Sequence, residues 1–527
     1  MPTVVSSTTI IGLEVHVELA TRRKMFSAAP SPAHREFAEA PPNTLLDPVV
    51  LGLPGALPVM NRAAVEMAML VGLALGGKVA PVTRWDRKNY FYPDMPKAYQ
   101  ISQYDQPLCV GGLVEVPAAD AKGFPDLDAP ATRVRIVRAH LEEDAGKLLH
   151  EAPGGGVMEG SILDLNRAGA ALLEIVTEPD FRSAEQVVLF AKLLRATCRF
   201  LGVTEGVMQQ GHVRFEPNIN CELTLDDGRT VRTPIVEVKN LNSFKAVRGA
   251  IEHEAREQPR RWMDDGRVMG PGTKTTRGWD DARAVTFIQR GKEDAHDYRY
   301  FPDPDLPPLT IDDAWREKVA ARLGELPLDR LRRYVTRSGL PTKEAFALIE
   351  ERDTCLFYEA VAAGLIALGM EEGRAGKVAA NWVLGACAAR ANERGAQPHE
   401  VGIKPTTLAA LGKLREDGRL NNQGTETLFA RLCDAPTQAA PATDALAAVE
   451  HLAGELGVLV VRDDAAMAAW VREVLDANPK VVEDVRGGKA AAVGRLVGEV
   501  MKRAGGKADA KAVREALLAA IGIREPS

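Results

Sequence analysis

The sequence predicts an α+β fold: an N-terminal cradle built on an antiparallel sheet, followed by all-α helical and tail domains. Three observations carry this. Residues 10–19 and 212–223 alternate apolar and polar side chains with a period of two, as in strands with one face in the core. A cluster of prolines (Pro302, Pro304, Pro307, Pro308) closes that half. From Asp312 onward the chain is rich in Ala, Leu, Arg and Glu, punctuated by Gly and Pro, and reads as mostly helical. The expected domains are a cradle over 1–309, a helical domain over 310–440 and a basic helical tail over 441–527.

In the first strand Ile11, Leu13, Val15, Val17 and Leu19 form one face, and Gly12, Glu14, His16 and Glu18 the other. A solvated strand face more often carries Thr, Lys, Ser or Arg, so carboxylates flanking an imidazole mark the floor of an active site. Residues 22–42 read as a loop. Residues 61–76 read as a helix, with Ala64, Ala68 and Val71 on one face and Gly76-Gly77 as its stop. Next, Asp86-Arg87-Lys88-Asn89-Tyr90-Phe91-Tyr92-Pro93-Asp94 and residues 96–104 bring five aromatic residues between Tyr90 and Tyr104, in a chain that is 5% aromatic. Basic residues beside aromatics suit an anionic planar ligand such as a nucleotide or an RNA end; a packed, Pro-rich loop is the alternative.

Residues 133–141 read as a strand running into Glu142-Glu143-Asp144, which is either a solvated turn or a ligand set for a hard cation. Glu174 interrupts an apolar run and is either at a strand end or buried beside a metal, a cation or a proton. Residues 185–201 form an amphipathic helix. In the strand over 212–223, Val213, Phe215, Ile219, Cys221 and Leu223 face one way and His212, Arg214, Glu216, Asn218, Asn220 and Glu222 the other. Pro217 predicts an edge strand or a bulge there. Asp226-Asp227-Gly228-Arg229 signals a hairpin with a return strand over 231–239, carrying Glu237 and Lys239 on one face, then a helix around 244–256. Between Lys480 and Arg514, nine Lys/Arg face four acids in a chain of net charge −6, which suits a polyanion partner or a solvated basic helix.

Several classes are excluded. No stretch of about 18 apolar residues exists to span a membrane, and no signal peptide is evident at the N-terminus. The six cysteines lie far apart without a CxxC pair, against a thiolate zinc site or a disulfide framework; buried free thiols in a reducing cytoplasm are expected. P-loop, dinucleotide-binding, nucleophile-elbow and H-E-x-x-H motifs are absent, which leaves carboxylates and a divalent cation to do the chemistry.

Longer motifs carry a resemblance. Gly12-Leu13-Glu14-Val15-His16, the stretch Asp86 to Asp94, His140-Leu141-Glu142-Glu143-Asp144-Ala145-Gly146-Lys147 and Leu173-Glu174-Ile175-Val176-Thr177-Glu178-Pro179-Asp180 resemble the GatB family, the synthetase-like subunits of tRNA-dependent amidotransferases. So do Val238-Lys239-Asn240-Leu241-Asn242-Ser243-Phe244, Asp297-Tyr298-Arg299-Tyr300-Phe301-Pro302 and the tail motifs Asn478 to Asp484 and Gly494 to Gly498. The resemblance runs from about residue 8 to residue 522. It implies a cradle related to the glutamine synthetase fold, working in a heterotrimer with a glutaminase subunit and a small clamp subunit. That family uses ATP to phosphorylate the side-chain carboxylate of Glu-tRNA(Gln), and often of Asp-tRNA(Asn), and amidates it with ammonia channelled from the glutaminase. By position, Glu14, His16, Glu143, Glu174 and Glu216 correspond to its metal-binding residues, with Mg2+ as the expected ion. Lys147, Arg214 and Lys239 are candidates for phosphate contacts, on charge and neighbourhood.

Two departures stand out. Gln209-Gln210 replaces a Glu-Glu pair and Glu216 an Asp of many members. Ser27, Ala29, Asp47 and Val50 stand where some members carry two cysteine pairs, so no zinc is expected. Competing readings are a non-catalytic tRNA-binding scaffold, supported only by Gln209-Gln210, and a stand-alone carboxylate–amine ligase of glutamine synthetase type.

Overall fold

In a computed structural model, the alternating N-terminal stretch forms β1 (Val4–Glu18) near the centre of an eleven-stranded sheet. The structure describes all residues except 1, 152–155, 292–297, 436–440, 461–463, 488–491, 505–509 and 523–527. Asp297 of the closing motif and Lys489, Lys507 and Asp509 of the tail lie outside the described residues.

The first compact unit is Met1–Arg332. Its helix α1 (Arg62–Ala74) starts where the Asn61 side chain accepts from the Ala63 amide and stops before Gly76, whose φ is +73°. β2 (Asp86–Asn89) and β3 (Tyr99–Ser102) form a hairpin. β4 (Thr132–Glu143) and β5 (Ala171–Thr177) join the main sheet, followed by α2 (Ala184–Phe200). Then come β6 (Val213–Leu225), β7 (Val236–Lys239), α3 (Phe244–Asp265), β8 (Thr275–Asp280) and β9 (Val285–Gly291). The main path across the sheet is β9–β8–β7–β6–β1–β5–β4, then two short strands. Ile11, Leu13, Val15 and Val17 of β1 are buried on the face that carries the helices, and α3 packs against β1 and β6. The other face is polar and forms the cradle.

The structure departs from the sequence reading in five places. The sheet is not wholly antiparallel: β7 and β8 run parallel, because α3 lies between them and supplies the crossover that parallel strands need. Pro217 is in an interior strand, not an edge: β6 pairs with β1 and β7, and the ladder to β7 spans Asn218 and Ile219 and stops beside the proline. The return strand is broken into Thr230–Arg232 and β7, with Thr233 bonded to Cys221 and Pro234 between them. α3 runs nine residues past Arg256, through Pro259, since buried Glu254, Gln258 and Trp262 continue its inward stripe with polar residues that hide it from hydropathy. β4 extends through Glu142 and Glu143, and these and Asp144 are all buried, so of the two readings of the acidic run the solvated turn is not formed.

The unit also continues past the Pro-rich stretch. Leu309–Thr310 pairs with Val82–Thr83, and in the helix Asp313–Ala320 the Trp315 ring lies 4.5 Å from the Arg62 guanidinium.

The second unit, Arg333–Ser527, is helical throughout its described residues, apart from one isolated bridge between Leu420 and Leu459. Its last four helices, Asp464–Ala477, Pro479–Arg486, Val493–Arg503 and Ala510–Ile521, share a core that includes Val474, Val485, Leu496, Val500 and Leu517. Lys480, Arg486, Arg495, Lys502, Arg503 and Arg514 are exposed on it. All six cysteines are buried free thiols, as expected. Among the described residues no helix is long and apolar enough to cross a membrane.

Candidate active site

Strand register builds the site. His16 in β1 lies opposite Glu174 in β5 on one side and Arg214 in β6 on the other, and Glu174 lies opposite His140 in β4. Glu14 lies opposite Glu216, and Asn218 opposite Glu237. Directly opposed residues share a face, so five strands deliver their polar side chains to one floor.

Two groups of possible metal ligands result, His16–Glu142–Glu174 and Glu14–Glu216–Glu237, with the ligand atoms of each group within 4.8 Å of one another. His16 links them: its Nε2 is 3.4 Å from Glu174 and 3.9 Å from Glu142, while its Nδ1 is 3.8 Å from Glu216. His140 Nε2 lies 3.7 Å from Glu174. Lys239 pairs with Glu216 and is 3.0 Å from Glu237, and Lys274 is 3.7 Å from Glu237. The Asn218 amide donates to Glu14 at 3.0 Å.

The electrostatics follow from burial and crowding. Burial opposes charge on His16, but Glu216 and Glu174 outweigh it and hold its pKa up at about 9. Burial drives His140 down to about 4 against the pull of Glu174. Burial, then the charge of Glu174, push Glu142 above its ordinary value. Burial works against Glu174 too, but His140 and His16 hold it well below. Burial likewise opposes the charge of Lys88, yet Glu142 leads the groups that hold its pKa above the ordinary value. This is a wall of acids with cations at its rim.

The sequence-predicted residues divide. Glu14, His16, Glu174 and Glu216 come together. Glu143 does not: it lies opposite Ala171 on the other face, pairs with Lys97 and accepts from the Ile101 amide at 2.9 Å. Glu142, one residue earlier, takes the place expected for it. Lys239 is at the second cluster. Arg214 is held on Asp144 at 2.8 Å, and both Arg214 and Lys147 line a cleft of about 660 Å³ that reaches Glu216. Arg167, Asn240 and Asn242 line the same cleft, as do Gln209 and Gln210, which belong to neither acid cluster. His140 and Glu237 were not among the expected site residues; Glu142 entered only as part of the acidic run and Lys88 only as part of the basic and aromatic stretch. The spacing of His140 and Glu142 was the available signal for that pair, and the shared face of Glu237 with Lys239 for the third.

The four positions tied to the zinc expectation lie together. Ser27 donates to Asp47 at 2.6 Å, and Asp47 accepts from the Val50 amide at 2.9 Å. Ala29 and Val50 share a small apolar core with Leu165 and Ala168.

Comparison with known proteins identifies the family. Residues 9–317 match the family described as the GatB/GatE catalytic domain, and residues 369–521 match the GatB domain. A protein from Thermomicrobium roseum, named as the B-type subunit of aspartyl/glutamyl-tRNA(Asn/Gln) amidotransferase, is 42% identical over 509 residues, spanning 97% of each chain. Proteins of the same name from Paraburkholderia phytofirmans (43% identical, 96% of this chain and 98% of its own) and Geobacillus thermodenitrificans (40%, 98% and 99%) are similar throughout. Matched over nearly its whole length by proteins of one name, and by both family domains in order, the chain belongs to the GatB family of amidotransferase subunits.

Proposed function

We propose that this protein phosphorylates the side-chain carboxylate of Glu-tRNA(Gln), Asp-tRNA(Asn) or both with ATP, and then amidates it with ammonia. It does so in a heterotrimer in which a glutaminase hydrolyses glutamine and supplies ammonia through a channel, and a third, small chain acts as a clamp. The observation that carries this reading is the pair of adjoining acid clusters, joined by His16 and bordered by Lys88, Lys239 and Lys274. Phosphoryl transfer onto a carboxylate gathers several negative charges in one place, and fixed cations are the means of neutralising them.

The residues fit Mg2+. The donors are carboxylates and one imidazole, and the Nδ1 atom of His16 and Oδ1 of Asn218 are buried without a hydrogen-bond partner among the described residues. His16, Glu142 and Glu174 would hold one ion and Glu14, Glu216 and Glu237 another, with Glu142 in place of Glu143. Bound there, Mg2+ would neutralise and orient phosphate oxygens. Lys239 sits where it meets developing charge beside Glu216. Arg214 and Lys147 line the adjoining cleft, whose volume suits a nucleotide, and are assigned to its phosphates. The Ser27–Asp47 hydrogen bond ties the early loop to the segment that follows it.

Both acid clusters form without positions 209 and 210, which line the adjoining cleft, and this favours the catalytic reading over the scaffold. The test is amide formation by the assembled complex, with ammonia added directly and each misacylated tRNA in turn. ATP-dependent conversion of one or both is expected, with no glutamine hydrolysis by this chain alone. ATP turnover that ignores misacylated tRNA, or amidation of a small free carboxylate without the glutaminase, would overturn the proposal.

A further inference from the structure

The cradle brings two histidines to the first acid cluster, and their ring nitrogens are in opposite situations. His16 Nδ1 has no hydrogen-bond partner among the described residues, and its Nε2 faces Glu174 and Glu142. His140 is tied on one side. After the bulge in β4, Arg138, His140 and Glu142 alternate onto the cradle face, and Arg138 Nε donates to His140 Nδ1 at 3.3 Å. Arg138 is half-buried and makes no ion pair among the described residues, although a wall of acids stands beside it. Its guanidinium is committed to the ring.

A guanidinium has N–H donors only and cannot accept. The nitrogen it donates to must carry a lone pair, so the proton of the His140 ring is on Nε2. That N–H lies beside two carboxylates: Nε2 is 3.7 Å from Glu174 Oε2 and 4.0 Å from Glu142 Oε2. Neither nitrogen of this ring is then open to a cation, in contrast to His16. The oxygens of Glu142 are divided in the same sense. Oε2 faces His140 and accepts from the buried Ser102 hydroxyl at 3.3 Å, while Oε1 faces His16. The outer donors take one oxygen and leave the other to the centre of the cluster.

We propose that His140 is a positioning residue for the first cation site and not one of its ligands. Arg138 fixes the ring tautomer, the Nε2–H and the Ser102 hydroxyl orient Glu174 and Glu142, and those carboxylates hold the ion together with His16. The part of that ion in phosphoryl transfer rests on the proposed function. Donors outside the ligand set fix the direction and basicity of the coordinating oxygens, and their loss weakens metal binding about ten- to a hundred-fold.

The test uses Mn2+ as probe, because its electron spin reports both affinity and coordinated nitrogen. The assembled complex is titrated with Mn2+ alone, without ATP or tRNA. In wild type one histidine nitrogen should couple to the bound ion. The coupling should vanish in His16→Ala and persist in His140→Phe. His140→Phe should weaken one Mn2+ site about ten- to a hundred-fold and leave the other unchanged. His140→Gln, which returns a donor to the Nε2 position, should restore it. Loss of the nitrogen coupling in His140→Phe would make His140 a ligand. Unchanged affinity, or equal weakening in the Phe and Gln variants, would make it a packing residue. Each of these overturns the inference. Arg138→Met leaves the ring in place and serves should His140→Phe fail to assemble: it should weaken the same site, and an unchanged site overturns the inference. Amide formation by the wild-type complex is read in parallel. If it fails while the Mn2+ pattern holds, the proposed function falls and the positioning role stands; amide formation with Mn2+ sites that ignore these variants separates them the other way.

Discussion

Glu142 and Glu143 are chemically identical neighbours, and strand parity gives them different environments. Glu142 shares a face with His140 and meets His16 and Glu174, whereas Glu143 is turned to Lys97 and the Ile101 amide. Glu142→Gln should therefore reduce amide formation with free ammonia about a hundred- to a thousand-fold, as expected for one lost preorganised electrostatic contact. If Glu142→Gln retains near wild-type rate, the first cluster is wrongly assigned. Lys24 offers a second test away from the clusters. It is fully buried, donates to the Ala168 carbonyl at 2.7 Å, and burial lowers its pKa to about 8 from an ordinary 10.5. Between those values the unfolded chain holds the proton and the folded one has released it, so raising the pH favours folding. Wild type should gain about 1–3 kcal/mol from this group between pH 8 and 10.5. Lys24→Met should flatten that slope in urea titrations across the range, and an unchanged slope would contradict the assignment.

At the scale of elements, the apolar–polar alternation of β1 and β6 was legible because one face is wholly apolar: Leu13, Val15, Phe215 and Ile219 are each buried. β4 was less so. A bulge between Ile136 and Arg138 shifts its register, so Val134 and Ile136 point inward before it and Ala139 and Leu141 after it. A period read from residues 133–141 straddles that shift and cannot fix which acid faces the cradle. The parallel pairing of β7 with β8 depends on where α3 returns the chain, which no local pattern encodes. α3 itself is tied to β8 and β9 through Glu254, which is fully buried and meets Arg261, Arg277 and Thr286. Glu254→Ala strands those guanidinium groups and should destabilise the first unit by about 3–5 kcal/mol. Thermal unfolding of the full chain checks it; a loss below about 1 kcal/mol would show the network to be solvated.

At the scale of the whole molecule, composition separated the sheet-bearing half from the helical half, and the long motifs identified the family. The side chains that meet across strands, His140 with Glu174 and Glu142 with His16, emerge only once the register is known. The helical tail keeps its apolar residues inside and its exposed basic residues outside. Removing residues 480–527 should raise the KM for tRNA and flatten its salt dependence, through lost phosphate contacts, while glutamine hydrolysis in the complex survives. An unchanged KM would make that stretch a solvated face.

The central claim is that the joined acid clusters on β1, β4, β5, β6 and β7 carry out phosphoryl transfer to the aminoacyl carboxylate. Its most direct test follows labelled γ-phosphate from ATP to Glu-tRNA(Gln) in the assembled complex, with His16→Ala and Glu174→Gln compared with wild type. The expected result is loss of the phosphorylated intermediate in both variants, with glutamine hydrolysis by the glutaminase largely intact. Formation of that intermediate at near wild-type rate in both variants would contradict the account.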